Sequence, residues 1–373
     1  MGTAVSNIAE SCTPNTTLDL SFDEAFAEEL SYTNADRIII TIVNPCILAV
    51  GLLGNLAFLF MMVRVRRMWT VTNIYLTNLA IADTSFLVIA VSEKIARYRA
   101  SPVSGDQAIM GPGGCISVYV LLDVAYSVGL CLVTLVTVEK YYAICRPIQH
   151  RLVGGMKRTK RLVLVVWVIA WVFGLTLLPC WSNFVGFCTT WPETEAFSNH
   201  PQVIGFCQPE AAWLIDVHNG VQTVPFFVCL IVNAVLYILI IKRLNTRVGV
   251  VNDDHSTGQQ RKNLRQKVRN QVARMLIVNG VLYFTLMAPF QCTSFAFVIS
   301  NSTGNYVLEP EQVTKLQWVN RTLFYLNPAI NPYIYFITNP KYRQAYVQAF
   351  TFRRPKRRAR SATVMDEMST YIP

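Results

Sequence analysis

The sequence predicts an all-α membrane protein, a seven-transmembrane helix bundle with a short amphipathic helix after the seventh span. Of its 373 residues 53% are apolar and only 15% charged, where soluble globular chains carry about a quarter. The apolar residues gather into stretches that match a hydrocarbon core of about 30 Å. The net charge of +11 comes from basic residues concentrated in alternate loops, the distribution that orients a multi-pass chain.

Residues 1–37 are predicted as an extracellular N-terminal tail. They are acidic (Glu10, Asp19, Asp23, Glu24, Glu28, Glu29, Asp36), and Asn15-Thr16-Thr17 makes Asn15 a candidate glycosylation acceptor. Met1–Glu10 has no basic segment and no apolar core precedes Ile38, so no signal peptide is expected and the first helix serves as signal anchor.

The bundle is predicted over 38–337. The 26 residues between Arg37 and Arg64 are uncharged and, as a helix, exceed the hydrocarbon thickness. Similar spans are Leu162–Trp181, Val217–Ile241 and Met275–Ile299. Three more, Asn73–Ala96, Gly114–Cys145 and Val313–Ile337, are interrupted by Asp83, Glu93, Asp123, Glu139 and Arg321, which hydropathy alone would mark down. They count as spans because ionisable residues within a bundle face its interior.

A juxtamembrane helix is predicted over 338–352. Tyr342, Tyr346 and Phe350 recur every four residues against Lys341 and Arg343, an amphipathic pattern suited to a lipid surface. Residues 353–373 form the cytoplasmic tail, whose Arg353–Arg360 run suits anionic lipid. Ser361, Thr363, Ser369, Thr370 and Tyr371 beyond it are candidate phosphorylation positions, and arrestin a candidate partner.

With the N-terminus outside, 27 of 33 Lys and Arg fall on the cytoplasmic side, so the C-terminus lies inside and a nucleic-acid partner is excluded as the reason for the charge. The ten cysteines include no CxxC pair or zinc spacing. No nucleophile motif or metal cluster stands at helical spacing, and His150, His200, His218 and His255 read as loop or span-end residues, so the chain is not read as an enzyme. The absence of an internal repeat weighs against a small transporter, the alternative class.

Asp83 sits near the bilayer midplane, where an ionised side chain is costly and needs partners. Asn55, Asn327 and Asn331 are the candidates, making a polar cluster for water or a sodium ion at Asp83, Asn327 and Asn331. No other cofactor is expected.

Gly54-Asn55, Asn78-Leu79-Ala80-Ile81-Ala82-Asp83, Glu139-Lys140-Tyr141, Trp167, Pro225, Pro289 and Asn331-Pro332-Tyr333-Ile334-Tyr335 fall one set to each span, in order. Together they resemble the signature of rhodopsin-like (class A) G-protein-coupled receptors over roughly Arg37–Phe352. Tyr325–Ile330 and Lys341–Phe350 resemble the neuropeptide-receptor branch, of the thyrotropin-releasing hormone receptor type. The resemblance implies a plasma-membrane receptor for an extracellular ligand, most simply a neuropeptide, acting through a heterotrimeric G protein. The coupling and switch residues would be Glu139, Lys140, Tyr141, Asn233, Met287, Pro289, Asn331, Pro332 and Tyr335. Pro225, Pro289 and Pro332 would loosen the last three spans, since each removes a backbone donor.

The chain departs from that family at several of these positions. Lys140 replaces the family's arginine and loses its planar fork. Arg269 stands where many relatives have an acidic partner for that arginine. Met287 replaces a tryptophan, Asn233 a tyrosine and Gly129 a serine of the sodium cluster. A weakly coupled or ligand-scavenging receptor is therefore the variant reading.

By the same resemblance Cys115 is half of a disulfide to the loop between spans four and five, which offers Cys207, the favoured partner, or Cys188. Cys12 and Cys188 are then left as a second pair, one of the connectivities that four outer cysteines allow. Cys46, Cys131, Cys145, Cys229 and Cys292 read as buried thiols. Phe184, Val185 and Phe187, then Val203, Ile204 and Phe206, predict a hairpin lid around Trp191-Pro192. Leu122 stands where amine receptors carry their aspartate and Tyr325 where opsins carry the retinal lysine, which excludes those chemistries. The pocket set that remains is Glu93, Lys94, Asp123, Tyr126, Gln291, Phe295, Trp318 and Arg321. Both charge signs in one cavity suit a peptide, whose amides and termini need several partners. Arg321 ranks first for a peptide carbonyl or C-terminal group, and Asp123 second; rim ion pairs are the structural reading of Glu93, Lys94 and Arg321.

Overall fold

Helices begin and end in this chain where its prolines, glycines and capping side chains dictate. The computed structural model describes residues 16–248, 257–305, 307 and 310–351. Thr33 opens the first span with a reciprocal cap: its hydroxyl accepts from Asp36 N at 3.2 Å, and the Asp36 carboxylate accepts from Thr33 N at 2.7 Å. The helix α2 (Asn34–Ile38) then passes through a π-helical turn, Ile39–Val43, into α3 (Asn44–Arg64). That turn precedes Pro45, which lacks the donor a regular helix would need there.

The other spans are α4 (Val71–Ala100), α5 (Gly111–Cys145), α7 (Met156–Thr176), α8 (Trp213–Val248), α9 (Thr257–Thr303) and α10 (Pro310–Thr338). Thus all seven predicted spans are helices, referred to below as spans one to seven. Span three starts on Gly111 at φ +59, a left-handed conformation that glycine adopts without strain. Span four stops at Thr176, five residues short of the predicted Trp181. Pro179 ends it, because the residue before a proline is pushed out of the helical region and the chain tightens into a 3₁₀ turn, Leu178–Cys180.

Among the described residues six helices, those of spans one to six, are long and apolar enough to cross a membrane. Spans two and three pass despite their charges; only span seven is diluted, by Asn320, Arg321, Asn327, Pro328, Asn331 and Pro332. It packs nonetheless against spans one, two and six. The outer surface carries Leu53, Val63, Leu164, Ile231, Ile238 and Ile337, while Asn55, Asp83, Asn279 and Asn331 are buried. Apolar outside and polar inside is the pattern that lipid, as solvent, imposes.

At one end β2 (Asn183–Thr190) and β3 (Val203–Gln208) form the expected antiparallel hairpin, with Phe184 opposite Cys207. The N-terminal segment is more than a tail. Its β1 (Thr17–Asp19) adds to β2 in parallel, and α1 (Glu24–Leu30), capped by Asp23 at 3.0 Å, packs Leu20 and Ala27 against Phe197 and Trp191. Ser104 N donates to Leu30 O at 2.7 Å and Tyr32 N to Pro102 O at 3.1 Å, closing the cap over the loop after span two.

His200 reaches Ser31 Oγ at 3.0 Å beside the stacked Trp191 and Phe197 rings, and Arg37 and Arg99 line the adjoining groove of about 480 Å³. Burial holds its imidazole below the usual 6.5. The docked cap therefore binds fewer protons than the undocked segment, so docking is intact above about pH 6.5 and weakens as pH falls through the depressed value. Amide exchange over 17–31 will accelerate on acidification through that range, and His200→Gln will flatten the response.

At the opposite, basic end lie α6 (Pro147–Val153) and α11 (Pro340–Phe350). The second is the predicted amphipathic helix, capped by the Asn339 side chain accepting from Lys341 N at 3.0 Å. Tyr342 is buried and donates to the Asn73 side chain, whereas Phe350 stays exposed against Phe60 at 5.1 Å. The basic run and phosphorylation positions after it lie outside the described residues, as do Asn15, Cys12, His255 and the Arg269 side chain.

Candidate functional site

The hairpin is fastened to span three by the Cys115–Cys207 disulfide, with Cα atoms 5.6 Å apart, in agreement with the favoured pairing. Cys188 is also disulfide-bonded. Cys46 and Cys292 are free but exposed, so the expectation of burial fails for them: each lies on an outward helix face, where a small soft side chain meets lipid.

Beneath the hairpin a connected polar set runs inward. Gln107 Oε1 accepts from Cys207 N at 2.7 Å, and its amide donates to the Tyr119 hydroxyl. Tyr119 stacks on Trp181 at 4.1 Å, and Trp181 stands edge-on to His218 at 4.9 Å. His218 Nε2 lies 3.3 Å from both Asp123 carboxylate oxygens, and the Gln222 amide donates to the same carboxylate. Tyr126 Oη donates to Gln222 O at 3.4 Å and accepts from Gln291 Nε2 at 2.9 Å, while Gln291 Oε1 accepts from Thr223 Oγ1 at 3.1 Å. Spans three, five and six are thereby joined above a floor of Phe86, Phe290 and Phe324.

The predicted pocket residues divide. Asp123, Tyr126 and Gln291 belong to this set. Glu93 and Lys94 lie in a clasp: Glu93 takes Arg97 at 2.8 Å and Lys94 at 3.0 Å, and Arg97 also donates to Asp106 O and Ser104 O. Rim pairing is thus the arrangement these two adopt. Arg321 is half-buried with its guanidinium 5.8 Å over the Trp318 ring. Phe295 is a correction: it is 46% exposed, on the seam with Phe227 of span five. The inward face runs between Gln291 and Ser294, both buried, which puts Phe295 about 100° around the helix from Ser294.

Deeper, Asp83 and Asn331 meet, whereas Asn55 turns to backbone carbonyls. Asn331 Nδ2 donates to Asp83 Oδ2 at 2.7 Å. Pro332 cannot supply the helical donor for Pro328 O, and Asn55 Nδ2 supplies it at 3.0 Å. Pro225 and Pro289 likewise interrupt spans five and six. Met287 and Asn327 are buried, as is Tyr335, which sits edge-on to Phe58 at 5.7 Å. A Cβ on Gly129 would lie 3.7 Å from the buried Tyr283 hydroxyl, so this position faces the same core.

At the basic end Glu139 and Lys140 part. Glu139 Oε1 lies 2.6 Å from His150 Nε2 of α6, and Lys140 donates to the Thr72 hydroxyl of span two. Tyr141 stands edge-on to Tyr142 at 5.6 Å. Asn233 donates to Thr134 at 2.9 Å and to Cys229 O at 2.8 Å. The phenol missing at Asn233 recurs one turn on as Tyr237, whose hydroxyl lies 3.1 Å from that of Thr137 and packs where Gly280 leaves room.

Sequence reasoning missed His218, Gln222, Arg97 and His150. His218 and Gln222 left a signal, an i, i+4 polar pair in the first turns of span five, and so did Arg97, four residues after Glu93.

Fold and site together define a multi-pass helical membrane protein with a capped polar pocket at one end and a charged latch at the other. The family described as 7 transmembrane receptor (rhodopsin family) matches residues 54–335, and the chain belongs to it. It is 27% identical to the growth hormone secretagogue receptor type 1 of Mus musculus over 375 residues, 95% of this chain and 94% of the relative. To the thyrotropin-releasing hormone receptor of Bos taurus it is 27% identical over 324 residues, 80% of this chain and 75% of the relative. As a member of a receptor family spanning the membrane seven times, it is a multi-pass membrane receptor.

Proposed function

We propose that the chain is a plasma-membrane receptor for an extracellular peptide, with its N-terminus outside and C-terminus inside, signalling through a heterotrimeric G protein. The observation that carries the reading is the polar set from Cys207 through His218 and Asp123 to Gln291, which links the lid to span six beside Pro289. A ligand that rearranges it biases the spans whose other ends meet the cytoplasm. The names of the relatives, receptors for a growth hormone secretagogue and for thyrotropin-releasing hormone, support a hormone-like ligand. Arg321 is the first anchor for a peptide carbonyl or carboxylate and Asp123 the second, with Tyr126, Gln291 and Trp318 around them.

Asn327 Oδ1 and Asn331 Oδ1 are buried without a protein partner among the described residues, one helical turn apart, and Asn331 is bonded to Asp83, an oxygen set that suits a sodium ion, although Gly129 adds no hydroxyl. When bound, the ion would supply the charge that the Asp83 carboxylate lacks in protein. The basic tail suits inner-leaflet lipid, and its phosphorylation an arrestin.

Purified chain in nanodiscs, with an agonist identified from a neuropeptide library by calcium and cyclic AMP readouts, tests this. G protein will raise agonist affinity about 5- to 150-fold, and Arg321→Ala will lower it about 10- to 100-fold. Unchanged agonist affinity with every G-protein class would sink the coupling; binding that persists without nucleotide exchange would favour the scavenging reading that Lys140 and Met287 motivate.

A further inference from the structure

Glu139 and Lys140 are sequence neighbours, so their side chains leave span three about 100° apart. The carboxylate points to the loop after span three and the ammonium to span two. Glu139 is buried, and its contact to His150 at 2.6 Å is short enough for a charge-assisted hydrogen bond. His150 is carried by the seven-residue α6, held in shape by His150 N to Arg146 O at 3.0 Å and Gly154 N to His150 O at 2.7 Å. Little apolar burial helps to seat that helix, since Ile148 is 77% and Leu152 80% exposed. A buried carboxylate that loses its partner is strongly unfavourable. The imidazole thus does two things at once: it satisfies Glu139, and it docks α6 on the end of span three.

We propose that His150 is a positioning residue for coupling: in the resting bundle it holds α6 down through Glu139, and parting of the pair frees α6 to engage a G protein. This rests on the coupling reading above. In this chain the partner of the span-three carboxylate comes from a loop helix, so the latch answers to movement of that loop rather than to the neighbouring cation.

The test is a double-mutant cycle on the full chain in nanodiscs, with His150→Ala, Glu139→Ala, the pair, and His150→Arg, which keeps a cationic donor. Amide exchange over 147–153 is read alongside basal nucleotide exchange on added G protein. Each alanine variant is expected to speed amide exchange about tenfold, the double variant no more than the larger single, and His150→Arg to restore most of the protection. Basal nucleotide exchange is expected to rise in the same order. Equal effects of His150→Ala with and without Glu139 would overturn the proposal, because His150 would then act independently of the carboxylate. So would agonist-driven nucleotide exchange in the unaltered chain with basal exchange unmoved by any variant. Protection that follows the cycle while neither the unaltered chain nor any variant drives nucleotide exchange would overturn the coupling reading and leave the latch standing.

Discussion

Replacing Cys207 with serine will cost about 2–5 kcal/mol of stability and lower the thermal midpoint of the purified chain by many degrees. The bond joins buried Cys115, near the start of span three, to β3 across 92 residues, so breaking it releases a long loop. What remains between lid and bundle is a few hydrogen bonds, Gly205 N to the Asp106 carboxylate at 2.9 Å and Cys207 N to Gln107 at 2.7 Å among them. Each is worth about 1 kcal/mol net. Cys115→Ser will match Cys207→Ser, and the double variant will be no worse than either, since both single changes remove one bond. Cys46→Ser and Cys292→Ser will stay within about 0.5 kcal/mol, as exposed thiols with no such bond. Additive losses at Cys115 and Cys207, or losses at the exposed thiols as large as theirs, would contradict this account.

The spans were legible because lipid leaves one solution for the backbone and a side rule for the charges. The polar core was legible for a related reason: a midplane carboxylate needs partners, and few amides lie at its depth. The Asp83–Asn331 pair follows from that. The pocket was less so, because helical phase accumulates error around a proline. Gln291, two residues past Pro289, is buried inside the bundle, and Phe295, four further on, is exposed. The N-terminal cap had no local signature: Ser31 meets His200 across 169 residues, and a three-residue strand that adds in parallel has no turn to announce it. His150 escaped notice for the opposite reason. It lies only eleven residues from Glu139, but the chain reverses between them at Pro147, and no helical spacing describes that turn. Arg97 was absent from the pocket set, although its i, i+4 relation to Glu93 within a helix was readable.

Asp83 carries the second large prediction. An ionised carboxylate buried near the midplane is costly unless paired, and among the described residues the hydrogen bond to it comes from the Asn331 amide at 2.7 Å. The amide is neutral, so it orients the carboxylate without cancelling its charge. A sodium ion held by Asp83, Asn327 and Asn331 would cancel it, and the chain will therefore melt at a higher temperature in sodium chloride than in N-methyl-D-glucamine chloride. Asp83→Asn will abolish that difference while keeping an acceptor for Asn331. Asp83→Ala removes the acceptor as well, leaving a buried donor unpaired and a void beside span seven, and will be less stable than Asp83→Asn by about 1–3 kcal/mol. The loss reaches further than one contact. Asn55 of span one and Asp83 of span two hold span seven at Pro328 and Asn331, just ahead of Pro332, and the Asn55 bond replaces the donor that proline lacks. With that hydrogen bond gone, only the Asn55 bond of the two is left ahead of Pro332, so amide exchange over 328–338 will rise in Asp83→Ala more than in Asp83→Asn. Equal melting of the two variants, or a sodium effect that survives Asp83→Asn, would mean that Asp83 is an ordinary packing residue and that the brace lies elsewhere.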